Sequence, residues 1–170
     1  MPVDRDRYRK LAGSFPTGVA VVTTRDDKGE PRGLTTQSFV GLSTDPPLVL
    51  VAIDKAARTL VWLKRTDGFV INFLKMGADA VSTKFASKVD DKFAGLPWRE
   101  SGAAAGAPIL HEHAVAYVEC RTVSQQEAGD HWIFIADVIG GEHLGGVPLM
   151  YYRRTYAGWP EEKPAPSEIS

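Results

Sequence analysis

Two apolar, β-branched runs, Val19 to Thr24 and Leu48 to Ile53, enclose a stretch of a different character. From Gly33 to Pro47 it reads Gly-Leu-Thr-Thr-Gln-Ser-Phe-Val-Gly-Leu-Ser-Thr-Asp-Pro-Pro. Threonines and Phe39 suit an extended backbone, so 33–39 reads as a strand. Thr35, Thr36, Gln37 and Ser38 carry groups that need partners once covered. A solvent-facing surface is one outcome for such residues. The neighbouring runs are apolar enough that this strand reads as internal, with its polar groups facing something other than core. A flat, heteroatom-rich ligand would satisfy them.

The rest of the chain builds a barrel around that strand. Tyr8, Leu11, Ala12 and Phe15 fall at i, i+3, i+4 and i+7, a helical stripe with Asp4 or Asp6 as cap and Pro16 with Gly18 as stop. The β-branched run Val19 to Thr24 predicts a strand buried on both faces. Asp26 to Pro31 is a turn by composition, so the two strands form an antiparallel hairpin. Asp45-Pro46-Pro47 is a break, Leu48 to Ile53 a third strand, and Leu60 to Leu63 a short helix. Phe69 to Leu74 is a strand, Ala78 to Ala86 a helix, and 90–107 an ordered but irregular loop. Ala114 to Val123 and Trp132 to Ile139 are long strands separated by a polar turn, Ser124 to Asp130. Gly140 to Gly146 is a further turn and Leu149 to Tyr152 a last short strand. Six or so strands with helices between them predict a mainly β, closed or nearly closed barrel, which removes exposed sheet edges. One domain over 1–160 is expected, with a disordered Pro- and Glu-rich tail over 161–170.

Composition excludes more than it identifies. The net charge of -1, from 20 Lys plus Arg against 21 Asp plus Glu, leaves no footprint for nucleic acid. One cysteine, Cys120, allows no internal disulfide and fits a reducing compartment. The charged start lacks an apolar signal core, and no apolar run approaches the roughly 20 residues that span a bilayer. A cytoplasmic protein is the expectation. The Gly-x-Gly-x-x-Gly, phosphate-loop and Gly-x-Ser-x-Gly patterns are missing. His111-Glu112-His113 offers two imidazoles where zinc needs three or four ligands, so no metal is expected.

Several segments offer chemistry without fixing it. Asp54 to Thr59 precedes a helix, with Lys55 and Arg58 nearby; it reads either as a phosphate site or as a surface helix capped by Asp54 or Thr59. Gly129-Asp130-His131 has the composition of a turn. Tyr151, Tyr152, Arg153, Arg154 and Tyr156 form an aromatic and basic cluster. Trp62, Trp98, Trp132 and Trp159 read as core or interface residues.

Taken in order, Thr17 to Thr24, Gly33 to Pro47, Asn72-Phe73-Leu74, Ser82 to Phe85, Gly129-Asp130-His131 and Pro148 to Tyr152 resemble the flavin reductase family. The resemblance covers most of the chain. It implies a split barrel of the FMN-binding type, with flavin commonly at a homodimer interface, and often a partner monooxygenase. It further implies that Thr35, Thr36, Gln37 and Ser38 meet the flavin ring and ribityl chain. Gln37 stands where many members have a small residue, and either adds an amide contact or crowds the ring. The phosphate falls to Asp54, Lys55, Arg58, Thr59, Ser82, Lys84 and Phe85. Gly129, Asp130 and His131 lie where a nicotinamide docks, with His131 touching the dinucleotide or flavin, and Tyr152 and Arg154 are dinucleotide candidates. The implied activity is NAD(P)H:flavin oxidoreduction with FMN or FAD and NADH or NADPH. Alternatives are a non-catalytic flavin-binding protein and a split-barrel oxidase of the pyridoxamine-phosphate oxidase type.

Overall fold

The computed structural model describes residues 1–160; the tail expected to be disordered lies outside them. The elements run α1 (Arg5–Ala12), β1 (Thr17–Gly18), β2 (Ala20–Arg25), β3 (Pro31–Thr36), β4 (Val40–Thr44), β5 (Pro47–Asp54) and α2 (Leu60–Leu63). They continue with β6 (Gly68–Leu74), α3 (Asp79–Ala86), β7 (Arg99–Glu100), β8 (Pro108–Ile109) and β9 (Ala114–Ala128). Last come β10 (His131–His143), β11 (Leu149–Tyr152) and β12 (Thr155–Gly158).

Seven strands form the main sheet in the order β3-β2-β6-β9-β10-β5-β4, with every pairing antiparallel. Alternation along each strand decides what fills it. Ala20 and Val22, Phe69 and Ile71, Val49, Val51 and Ile53, and Phe134 with Ala136 point to one core. The opposite face of β2, carrying Val19 and Val21, packs beneath α3 and the 93–110 segment through Val81, Phe85, Phe93 and Leu110. This double burial is why β2 is apolar without interruption.

The sheet curls until β3 approaches β5, and the two are joined by side chain rather than by ladder. The Ser38 hydroxyl donates to the Ala52 carbonyl at 2.7 Å and accepts from the Ala52 amide at 2.8 Å. That seam makes the barrel a split one. The expectation of an internal strand over 33–39 is therefore corrected. β3 ends at Thr36 and pairs only with β2, because Gln37, Ser38 and Phe39 leave the ladder to reach across the seam.

Other boundaries also move. The polar turn expected over 124–130 is strand to Ala128, closed by a tight turn at Gly129-Asp130. Cross-strand pairing on β10 holds this polar segment extended where composition alone suggested a loop. β10 runs on to His143 through a register shift at Val138/Gly140. β4 and β12 were not expected, and short β7 and β8 lie within the irregular 90–107 region and just past it. Of the tryptophans, Trp132 and Trp98 are half-buried and pack against the two cores, Trp62 is half-buried and Trp159 is exposed.

Candidate functional site

Where β3 meets β5, the barrel wall opens into a cleft of about 640 Å³. Leu34 to Ser38 form one wall, Ala52 and Asp54 the end of β5, and Ser82 with Ala86 the flank of α3. His131 closes it at the start of β10, Tyr151 and Tyr156 come from the β11–β12 hairpin, and Tyr8 with Ala12 come from α1. The polar wall anticipated from the sequence is real, but much of its capacity is spent inside the protein. Thr35 Oγ1 donates to the Ser82 carbonyl at 2.6 Å. Thr36 Oγ1 lies 2.8 Å from Ser38 Oγ, which holds Ala52. Ser82 Oγ lies 2.9 Å from Tyr156 Oη. Gln37 differs: it is exposed, and its amide makes no hydrogen bond among the described residues.

A second cleft of about 420 Å³ shares Leu34, Thr35, Asp54 and Ala86 with the first, so the two are continuous. Arg58, Lys88 and Lys92 make it basic. Thr59 holds the N-cap position of α2, but neither its side chain nor that of Asp54 makes a capping bond. Asp54 Oδ1 accepts from the Ala56 amide at 2.7 Å, and Thr59 Oγ1 donates to the Gly33 carbonyl at 3.0 Å, tying α2 to β3. Lys92 donates to the carbonyls of Gly33 at 3.2 Å and Phe85 at 2.6 Å. Partial burial, and secondarily the Arg58 charge, push its ammonium pKa down.

Five candidates lie outside the two clefts or only at their margins. Lys84 reaches away from the clefts and donates to the Ala94 carbonyl at 2.7 Å. Lys55 pairs with Glu127 and donates to the Gly129 carbonyl, bracing the β9–β10 turn. Phe85 lines the second cleft only marginally: its ring is 1% exposed, packed edge-on to Phe93 with centroids 4.9 Å apart. Tyr152 is exposed, and the strand alternation turns Tyr151 to the cradle in its place. Arg154 lies in a left-handed turn (φ 67) beside a groove that shares Tyr8, Ala12, Gln37 and Tyr151 with the first cleft and also holds Arg9 and Lys10.

The Gly-Asp-His turn is built as a unit. Gly129 has φ 60, a conformation that glycine adopts without strain. The turn sets Asp130 Oδ1 2.7 Å from His131 Nδ1, and this hydrogen bond lowers the Asp130 pKa. His131 is thereby oriented at the cradle's edge. The site residues that sequence reasoning missed are Lys88, Lys92, Tyr151 and Tyr156. Lys88 and Lys92 fall around an irregular segment that offers no periodicity to place them. Among the described residues no group of three His, Cys, Asp or Glu side chains is arranged to hold a metal.

A split barrel with a polar cradle running into a basic cleft has the lining that a planar, anionic ligand would need. The chain belongs to the flavin reductase like domain family, whose sequence model matches residues 12–160. It is 43% identical over 163 residues to a flavin reductase (NADH) of Kitasatospora aureofaciens, covering 95% of this chain and 85% of that one. It is 37% identical over 166 residues to the reductase subunit of a flavin-dependent monooxygenase from Rhodococcus jostii, covering 97% and 83%. Among solved structures it superposes with a TM-score of 0.86 on an NADH:FAD oxidoreductase from Streptomyces globisporus in complex with NAD and FAD fragments. That match is at 33% identity and covers 92% of this chain and 93% of the other.

Proposed function

We propose that this protein is an NAD(P)H-dependent flavin reductase that hands reduced flavin to a partner monooxygenase. The observation that carries the reading is the continuity of the polar cradle, edged by His131, with the basic cleft at Arg58, Lys88 and Lys92. Together they fit a heteroatom-rich ring joined to a phosphate. Hydride transfer is chemistry that the nicotinamide and flavin rings supply between them. The chain's own part is to hold two planar groups face to face. Gln37 offers an unspent amide to the ring edge, Thr35 and Thr36 line the wall, and Arg58 with Lys92 balance phosphate charge. Asp130 fixes the His131 imidazole where the second ring docks. A site that only stored flavin has no use for that oriented imidazole, which favours the reductase over a binding protein.

The active form is proposed to be a homodimer. α1 buries none of its residues, and Tyr8, Leu11 and Phe15 are 62%, 61% and 75% exposed. Val40 and Leu42 on edge strand β4 are exposed too. An apolar cleft of about 510 Å³ beside Phe15, Phe39 and Phe73 continues that surface. Exposed apolar surface of this extent marks an association site.

The activity is tested by mixing the purified chain with NADH or NADPH and with FMN or FAD, and following nicotinamide absorbance. At least one pairing is expected to oxidise far faster than the protein-free control. The reading fails if none does.

A further inference from the structure

Away from the basic cleft, the cradle opens into a groove of about 880 Å³ between α1 and the β11–β12 hairpin. The groove shares Tyr8, Ala12, Gln37 and Tyr151 with the cradle and no residue with the basic cleft at Arg58 and Lys92. The cradle therefore has a cationic recess at each end. On the proposed reading the flavin phosphate occupies one, and the other is left to the second ligand of the reaction.

Four cations, Arg9, Lys10, Arg153 and Arg154, line that groove, and no carboxylate does. This is a local excess in a chain whose net charge is -1. Among the described residues, Arg9 alone of the four has an ion pair, with Asp6 at 3.9 Å, and both partners are exposed. Such a pair neutralises little.

The hairpin tip supplies an independent observation. Tyr152 pairs with Thr155, so Arg153 and Arg154 are the two central residues of the turn, with φ 47 and φ 67. A two-residue turn with positive φ at both positions is made most easily by Asn-Gly. A Cβ at either position is strained, so the fold alone would favour another pair. Two arginines held there at a cost to stability point to a use for their charge.

We propose that the groove takes the 2′-phosphorylated adenosine end of a nicotinamide dinucleotide. The chain then uses NADPH in preference to NADH, with Arg153 and Arg154 as the specificity-determining residues. The pyrophosphate common to both dinucleotides leaves the four cations in excess. A 2′-phosphate adds a further charge of about −2 and accepts hydrogen bonds from guanidinium groups. This rests on the reductase reading of the cradle.

The test is calorimetric titration of the full chain with NADP⁺ and NAD⁺, oxidised forms that bind without turnover, in buffer holding FMN or FAD. NADP⁺ is expected to bind at least about tenfold more tightly, the scale of one charge-assisted hydrogen bond. The gap should narrow as salt is raised. The double variant Arg153→Asn with Arg154→Gly removes most of the gap and melts no lower than wild type, because its turn is unstrained. Equal affinities in wild type, a gap that survives in the variant, or a variant that melts lower overturns the assignment of the tip arginines and leaves the cradle standing. Failure of both dinucleotides to bind overturns the reductase reading as well.

Discussion

Ser38 lines the first cleft and also holds the barrel seam. Its hydroxyl satisfies both the N–H and the C=O of Ala52 across the seam. Ser38→Ala strands two backbone groups at a cost of about 1–3 kcal/mol. Thermal unfolding should then begin roughly 3–10 °C lower for a chain of this size. Gln37→Ala touches no internal bond, so it should leave the melting temperature unchanged and weaken flavin binding; unchanged affinity by titration would remove Gln37 from the site. The sequence draws attention to this quartet as polar groups between two apolar runs. It could not say that three of the four hydroxyl and amide side chains are spent inside the protein, since their partners lie at Ser82 and Ala52. Cys120 is the opposite case, with a thiol whose pKa is pushed up to about 12, chiefly by burial and then by Glu119. Alkylating reagent at pH 8 should label it only after unfolding, as intact mass will show. Because the folded pKa is raised, the thiol favours the native state below its unfolded value. That contribution declines by about 1.4 kcal/mol per pH unit between roughly pH 9 and 12.

At the scale of elements, a buried amide holds the irregular segment onto the sheet. Asn72, on β6, donates to the Val21 carbonyl at 3.1 Å and to Thr23 Oγ1 at 3.2 Å, and accepts from the Leu110 amide at 2.8 Å. Thr23 Oγ1 in turn donates to the Pro108 carbonyl at 2.5 Å. Asn72→Ala breaks this buried set and is expected to cost about 3 kcal/mol, read as a drop of roughly 10 °C in melting temperature by calorimetry. Gly33 does comparable work between β3 and α3. A Cβ there would stand 2.7 Å from the Phe85 ring, and that ring is wedged against Phe93 and cannot retreat. Periodicity revealed β2, β5, β6 and both long strands because each buries alternate or continuous apolar residues. It missed β4, whose residues are almost all exposed, stopped β9 short because the Ser124 to Glu127 side chains are polar, and stopped β10 short because Gly140 and Gly141 have the composition of a turn. Those segments are extended through ladder pairing, which leaves no mark on hydropathy.

For the whole molecule, the exposed apolar surface of α1, Phe15 and β4 is the feature on which the proposed dimer rests. Light scattering should give about twice the 18.5 kDa chain mass, and Leu42→Glu on edge strand β4 should shift the species towards monomer by placing a charge in the contact. A wild-type monomer at micromolar concentration would remove the dimer from the proposal. The proposed dimer was suggested in the sequence only by family resemblance, since an exposed Leu or Val in a sequence looks the same as a buried one. The seam itself carries a last implication. On the proposed reading, the stitch that keeps the sheet from uncurling and the floor beneath a bound ring are the same few atoms. A ligand seated there presses that stitch shut, so occupancy and heat resistance should rise in step, with the empty barrel loosening first along β3.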